Sequence, residues 1–155
     1  MDKTKFNEIL EGMGAVGPFV QAEVLKGQEL LAFAEIPPGD GDQAHQVYVL
    51  TKEKLIWLSE NQEDGYMTYK CYFLSNMLEY EFGKIPVPEK TAVRAVLKIK
   101  FIGNSEIGLE TTENSPENIS SRHEIIVQGI DNLERQLRKL SKNHRVLTSG
   151  NAVRH

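Results

Sequence analysis

The sequence has a single cysteine and no long apolar run, and each of these scarcities narrows the possible functions. Cys71 is the single cysteine in 155 residues, so the chain cannot form an internal disulfide. A reducing, cytoplasmic location is the simplest interpretation of that composition. No stretch approaches the roughly 20 apolar residues of a membrane-spanning helix, and residues 1–12 carry charges where a signal peptide would be apolar. We therefore predict a cytoplasmic protein with no transmembrane segment and no targeting signal.

Residues that carry catalysis or bind metals are also sparse. The histidines, His45, His123, His144 and His155, are far apart, and no two have the spacing of a ligand pair on one helix turn. Cys71 lies in the middle of an apolar segment, which predicts an inert buried thiol. No glycine-rich phosphate-binding loop leads from a strand into a helix. The sequence therefore predicts a protein that is not an enzyme and holds no metal and no cofactor.

The charge balance argues against nucleic acid as a partner. Eighteen basic residues against twenty-two acidic ones give a net charge of -4, which disfavours polyanions in general. Arg94, Lys98 and Lys100 form one basic row, while Glu79 and Glu81 form an acidic row on the strand predicted before it. If these strands pair, the opposite charges become cross-strand neighbours that stabilise the sheet. We therefore interpret the basic row as structural and expect no nucleic-acid partner.

The clearest pattern in the chain is an apolar stripe that predicts a helix over Ser121–Lys142. Its members recur at intervals of four and three residues, as one face of an α-helix requires, and are Ile126, Ile130, Leu133, Leu137 and Leu140. Such a face must cover something apolar, and the open end of a barrel or sandwich is the best candidate. Gly129 costs the helix about 0.5–1 kcal/mol relative to alanine. We expect this glycine where the helix approaches the barrel closely.

Seven short segments ahead of that helix have the alternation or the β-branched and aromatic composition of strands. They are Leu30–Ile36, Gln46–Thr51, Leu55–Ser59, Tyr66–Phe73, Leu78–Phe82, Val93–Phe101 and Ile107–Leu109. Gly103–Asn104 predicts a two-residue hairpin turn, and the loop Ile85–Pro88 should end the fifth strand because proline cannot continue a ladder. Hairpins followed by an amphipathic helix predict a mainly β fold with seven antiparallel strands, in which the helix caps a partly open barrel.

The first residues predict two short helices with one apolar face. Phe6, Ile9, Leu10 and Met13 share a helical face, and Pro18–Leu25 predicts a second helix after a glycine-containing break. Helices this short are unstable alone, so they must dock on the body of the domain or on a partner. The sequence leaves both alternatives open, and the face is therefore a candidate partner-binding surface.

Two segments resemble a known family. Val47–Trp57 is similar to the hairpin of bacterial PH-like domains and the related GRAM domains, in which a Leu-Thr pair, a turn, a basic residue and a Leu-Ile pair follow in order. Phe73–Gly83 resembles the entry to their fifth strand. Lys54 and Met77 depart from the pattern, where arginine and isoleucine are usual. The resemblance covers roughly residues 27–143 and implies a PH-like fold, with residues 27–144 as the PH-like domain. Residues 1–26 lie outside it and are predicted as an N-terminal helical extension, and residues 145–155, where the apolar pattern is lost, as a mobile tail.

The resemblance also allows phosphoinositide binding to be weighed. Domains of this kind that bind phosphoinositides use basic residues around the loop between the first two strands, because cations neutralise the headgroup. Here that loop, residues 35–45, has acidic charged groups, which argues against phosphoinositide or other membrane binding. Lys52 and Lys54 form a candidate basic tip on the neighbouring hairpin, although solvated turn lysines are the favoured explanation.

Our leading hypothesis is a non-enzymatic PH-like module that binds a protein or associates with itself. The N-terminal apolar face and the edge strands of the open barrel are the two surfaces that could hold such a partner. The alternative is a carrier or sensor of a small apolar molecule or lipid in the barrel interior. That alternative predicts a cavity between the helix and the inward residues Trp57, Leu97, Ile99 and Phe101.

Overall fold

The computed structural model describes residues 3–12, 20, 25–38, 44–61, 63–86, 93–111 and 121–143. The helices are α1 (Lys3–Gly12) and α2 (Ser121–Asn143), and the strands are β1 (Ala32–Ile36), β2 (Ala44–Leu50), β3 (Lys54–Asn61), β4 (Met67–Phe73), β5 (Met77–Pro86), β6 (Val93–Phe101) and β7 (Glu106–Glu110). A short 3-10 helix, Leu74–Asn76, connects β4 to β5. The seven predicted strands and the capping helix are therefore confirmed. The second N-terminal helix and the tail were predicted largely on residues outside the described ranges.

The strands form two antiparallel sheets. One has the order β1-β2-β3-β4 and the other the order β5-β6-β7, so within each sheet every strand pairs with its neighbour in sequence. Hairpin connectivity of this kind follows from the short polar turns between the apolar segments. Within the described residues the two sheets do not close into a barrel. The chain thus has the partly open, helix-capped PH-like fold that the sequence predicts.

The charged rows of β5 and β6 face each other as predicted. Glu79 lies opposite Lys100, and Glu81 lies opposite Lys98. The Lys100 Nζ atom is 3.6 Å from the Glu79 Oε1 atom, and both side chains are half exposed. An exposed ion pair of this kind contributes about 0–1 kcal/mol. The basic row is therefore part of a charged, solvated sheet surface.

The fifth strand is longer than the sequence predicts. It continues through Ile85 and Pro86, which lie opposite Arg94 and Val93, so the prediction that this loop ends the strand is wrong. Because β5 has no second neighbour among the described strands, a proline at its end needs no ladder bond on the outer side. At the other end the register shifts between Met77 and Glu79.

The turn between β6 and β7 also differs from the prediction. The Phe101 N–H donates to the Ser105 carbonyl at 2.9 Å, so three residues and not two separate the paired ends. Gly103 and Asn104 both have positive φ, at 87° and 65°, as their composition predicts. The additional residue is Ile102, whose side chain is 61% exposed as a result.

The main core lies between α2 and the inner faces of both sheets. The predicted stripe of α2 is buried there: Ile126, Ile130, Leu133 and Leu137 are at most 3% exposed, and Leu140 packs at the margin. The sheets contribute Ala32, Ala34, Leu50, Leu55, Leu97, Ile99, Phe101, Ile107 and Leu109. Each buried aliphatic side chain contributes about 1.5–3 kcal/mol relative to an exposed one. The helix therefore closes the open end of the fold, as its stripe predicts.

Gly129 marks the closest approach of α2 to the sheet. A Cβ atom at this position would lie 2.7 Å from both the Cα and the Cβ atoms of Ala34 in β1. Carbon atoms that are not bonded to each other pack at about 3.5–4 Å, so no side chain fits here. The expectation that this glycine faces the sheet is confirmed.

A second apolar cluster lies on the opposite, outer face of the four-stranded sheet. There α1 packs on β1, β2 and β3, with the ring centroids of Phe6 and Phe33 5.3 Å apart. The cluster contains Phe6, Ile9, Leu10, Val20, Leu25, Leu30, Val47, Val49, Ile56 and Leu58, with Phe33 and Met67 at its margin. The four-stranded sheet is therefore apolar on both faces, and α1 and α2 cover different sides of it.

Candidate functional site

β4 is the most exposed strand of the four-stranded sheet and lies at its edge. Among the described strands it pairs with β3 alone. Five of its seven residues are exposed, namely Thr68, Tyr69, Lys70, Cys71 and Phe73. The two aromatic side chains among them are 44% and 54% exposed, respectively. An edge strand of this kind offers both main-chain hydrogen-bonding groups and apolar side chains to another chain.

The outward side chains of β4 continue the apolar face that α1 covers further into the sheet. Cys71 lies opposite Ile56, and Tyr69 lies opposite Leu58. Directly opposed residues project from the same face of a sheet. Ile56 and Leu58 are fully buried in the cluster under α1. Tyr69, Cys71 and Phe73, which we call the β4 strip, continue this apolar face on β4 and are exposed.

Cys71 corrects one prediction. The sequence places it in the middle of an apolar segment and predicts a buried thiol, yet the structure exposes it. The physical reason is the position of β4 at the sheet edge, beyond the reach of α1. The β4 strip therefore contains an exposed thiol, which the sequence does not indicate.

The other face of β4 holds the strand in place. The Tyr72 ring packs on the Phe101 ring with centroids 5.1 Å apart, which joins β4 to the second sheet. The Lys70 Nζ atom lies 5.9 Å from the centroid of the Trp57 ring, at a distance that allows a cation–π contact. Trp57 is itself fixed, because its Nε1–H donates to the Gln46 Oε1 atom at 2.8 Å. These contacts anchor β4, so the exposed strip is presented by an ordered strand.

β4 carries few of the features that protect edge strands from pairing with other chains. Such features include prolines, bulges and charged side chains. The seven residues of β4 include no proline, and Lys70 is its one charged residue. The described register with β3 is regular along the whole strand. Lys70 therefore limits which partners and registers can pair with β4, but it does not close the edge.

The N-terminal face, a candidate partner-binding surface from the sequence, is buried in the structure. Phe6, Ile9 and Leu10 are 2%, 9% and 3% exposed beneath α1, while Met13 lies outside the described residues. Of the two alternatives, the helix docks on the body of the domain. A partner could contact this face only if α1 left the sheet.

The candidate basic tip is an ordered turn. The buried Thr51 Oγ1 atom accepts hydrogen bonds from the Glu53 and Lys54 N–H groups at 3.3 and 3.2 Å. Lys52 is exposed and Lys54 is half buried beside Phe73, its opposite residue in β4. The Glu53 carboxylate accepts a hydrogen bond from Gln28 Nε2 at 3.1 Å. Because a carboxylate stands between the two lysines, the turn has mixed charge and no concentrated cationic field.

The barrel interior is filled by side chains at the place where the carrier hypothesis requires a cavity. Leu97 and Ile99 are fully buried, Phe101 is 3% exposed, and Trp57 packs against the same cluster. A surface groove of about 480 Å³ lies elsewhere, lined by residues of β1 and α2 that include Gly129. A second groove, of about 620 Å³, lies beside α1. None of the four interior residues lines either groove, so the packing gives the carrier hypothesis no support.

His45 and Glu35 form a polar pair at the margin of the outer face of the four-stranded sheet. The Nε2 atom of the buried His45 is 2.7 Å from the Glu35 Oε2 atom, and Glu60 lies opposite His45 in β3. Across the described ranges, no three histidine, cysteine or acidic side chains are placed to hold a metal ion together. The pair therefore satisfies buried polar groups at the start of β2, where the loop to β1 begins.

Burial of Tyr48 on the core side produces a testable pH effect. Burial, with a smaller contribution from the neighbouring Tyr72, raises the pKa of Tyr48 from 10.0 to about 12. Because the unfolded phenol ionises first, the stabilisation is complete below pH 10 and is lost as the pH rises toward 12. We expect the free energy of unfolding of the wild type to fall relative to that of Tyr48→Phe across this window, as measured by urea unfolding. An equal dependence on pH in both proteins would contradict the assignment.

Comparisons with known proteins identify no family. No family model matches the chain, and no curated protein sequence matches it. Among solved structures, the hSac2 domain from human phosphoinositide phosphatase Sac2 is similar over 85% of this chain and 82% of that chain, with a TM-score of 0.46 and 12% sequence identity. This distant likeness carries no conclusion about function. No helix in the described part of the chain is long and apolar enough to cross a membrane.

Proposed function

We propose that this chain is a non-enzymatic binding module of the bacterial PH-like type that takes up an extended protein segment alongside β4. The observation that supports the proposal is the β4 strip on an edge strand with one described neighbour. In strand addition, main-chain hydrogen bonds give affinity, and side chains at alternate positions give selectivity. β4 supplies both, because Tyr69, Cys71 and Phe73 alternate along the same open edge.

The geometry supports this edge over the other candidate surfaces. The N-terminal face is buried, the basic tip has mixed charge, and the interior is packed. The other exposed large apolar side chains among the described residues, Tyr66, Leu78 and Ile102, lie outside β4. Single exposed apolar residues are ordinary on protein surfaces, whereas an aligned row on an edge strand is not.

Charge substitutions in the β4 strip test the proposal. We expect Tyr69→Asp and Phe73→Asp each to abolish most partner capture from a native lysate, because loss of a central aromatic contact costs about 2 kcal/mol or more, roughly 30-fold in affinity. Both positions are exposed, so the folded state should tolerate the change. Capture is measured by affinity purification and quantitative mass spectrometry, which also detects an untagged copy of the chain.

The matched control is Ile102→Asp, which places the same charge on a more exposed apolar position outside β4. This variant should capture the same proteins as the wild type. Undiminished capture by the two β4 variants, or equal loss in the control, would contradict the proposal.

A further inference from the structure

We propose that the segment paired with β4 is β4 of a second copy of this chain, antiparallel to the first and related by a two-fold axis at Cys71. The inference rests on the proposed function and names its partner. A strand that pairs with its own copy around a two-fold axis places one residue opposite itself, and each residue before it opposite one after it. Only such registers keep the exposed strips of both copies on the same face of the joined sheet.

The sequence of β4 favours Cys71 as the central residue. With the axis at Cys71, Tyr69 lies opposite Phe73 of the second copy, so two aromatic pairs form on the outer face. On the other face Lys70 lies opposite Tyr72 of the second copy, where the ammonium group can contact a ring. Every side chain in the paired stretch then has a compatible opposite neighbour.

The neighbouring registers are less favourable. An axis at Lys70 places Lys70 opposite Lys70 of the second copy, and like charges directly opposed destabilise a strand pair. An axis at Tyr69 pairs Thr68 with Lys70 and Met67 with Cys71, and leaves Phe73 outside the overlap. Lys70 thus selects among the registers. The register centred at Cys71 keeps the two Lys70 side chains from facing each other and also forms both Tyr69–Phe73 pairs.

The charge of the edge does not oppose this assembly. The chain as a whole is negative, at -4, and two copies repel each other at long range. β4 itself contains one lysine and no acidic residue, so the paired strands bring no carboxylates together. Pairing the edges joins two four-stranded sheets into one, and each open β4 edge becomes an internal one.

A charge-swap experiment on the full chain tests the position of the axis. Cys71→Glu and Cys71→Lys each place like charges opposite one another, so each variant alone should dimerise several-fold more weakly than the wild type in sedimentation equilibrium. An equimolar mixture should form the mixed dimer preferentially, because the opposed charges then attract. Thermal unfolding of each variant, compared with that of the wild type, verifies that the exposed position tolerates the change.

Cysteine placement tests the register independently. In a Cys71→Ser background, Tyr69→Cys in one protein and Phe73→Cys in another should yield a disulfide-linked mixed dimer when diamide accepts the two protons and two electrons of the paired thiols. Opposed Cα atoms in antiparallel strands lie about 4.5–5.5 Å apart, within the range of about 4.4–6.8 Å that a disulfide spans. Neither protein alone should crosslink to a comparable extent.

The outcomes separate this inference from the proposed function. Dimers that respond to both designs as stated support the inference. A wild type that stays monomeric while Tyr69→Asp still abolishes capture of another protein would overturn the self-pairing and leave the proposed function standing. Dimers that are indifferent to every β4 substitution would overturn the self-pairing, and undiminished capture by Tyr69→Asp in the same protein would overturn the proposed function as well.

Discussion

Replacing Gly129 by alanine will lower the free energy of unfolding by about 1–3 kcal/mol, the usual cost of overpacking a close contact. On an ordinary helix the same change stabilises, since alanine is the better helix former by about 1 kcal/mol. Here the new methyl group would lie 2.7 Å from the Ala34 Cα atom, which is backbone and cannot rotate away. The helix must therefore shift from β1, and part of its packing with the core is lost. Urea unfolding of both proteins measures the difference.

Two further variants define the cause of that loss. Gly108→Ala adds the same methyl group at an exposed position in β7 where no atom lies within 4 Å, so its free energy of unfolding should rise by about 0.4–1 kcal/mol instead of falling. Ala34→Gly combined with Gly129→Ala removes one of the two close contacts and should restore stability in part. If Gly129→Ala is as stable as the wild type, α2 does not approach β1 as described.

Phe6→Ala is expected to weaken the docking of α1 on the sheet by about 3–5 kcal/mol, the range for deleting a buried aromatic side chain. Phe6 is 2% exposed and packs against Phe33, and α1 has only ten residues with which to hold its position. A helix of that length is not stable in water alone. We therefore expect α1 to detach, which trypsin cleavage after Lys5 will report as a faster rate.

Glu8→Ala is the matched control, since Glu8 lies in the same helix and is exposed. It should change neither the cleavage rate nor the stability by more than a small amount. If Phe6→Ala left Lys5 as resistant as in the wild type, the apolar face of α1 would not be what holds it to the sheet. That result would favour the hypothesis that this face binds a partner instead of the sheet.

The sequence predicts the architecture well because periodicity reports which face of an element is buried. The α2 stripe and the alternation of β6 each identify one buried face, and Gly129 stands out because glycine is costly inside a helix. Two connections differ from the prediction, the end of β5 and the turn between β6 and β7, and each difference has a local cause. An edge strand accepts Pro86, and Ile102 enters a turn whose positive-φ residues follow it.

The candidate site was harder to predict because exposure of a strand depends on its neighbours. Tyr69, Cys71 and Phe73 alternate with Thr68 and Lys70, which indicates a strand with one apolar face. The pattern cannot show that α1 covers this face on β1 to β3 and leaves Tyr69, Cys71 and Phe73 of β4 exposed, since that is a property of the tertiary packing. Lys70 was the available signal: a lone charge in an apolar strand is a common feature of sheet edges.

Amide hydrogen exchange of β4 tests the central claim, that this edge is where the protein binds another chain. Residues 67–73 should contain amides that exchange rapidly in the dilute protein and slowly in the assembled state, because the outward N–H groups then donate to the paired strand. Tyr69→Asp should keep them in rapid exchange at every concentration. If the assembled protein gains protection elsewhere while the β4 amides exchange as before, the edge is not the binding site.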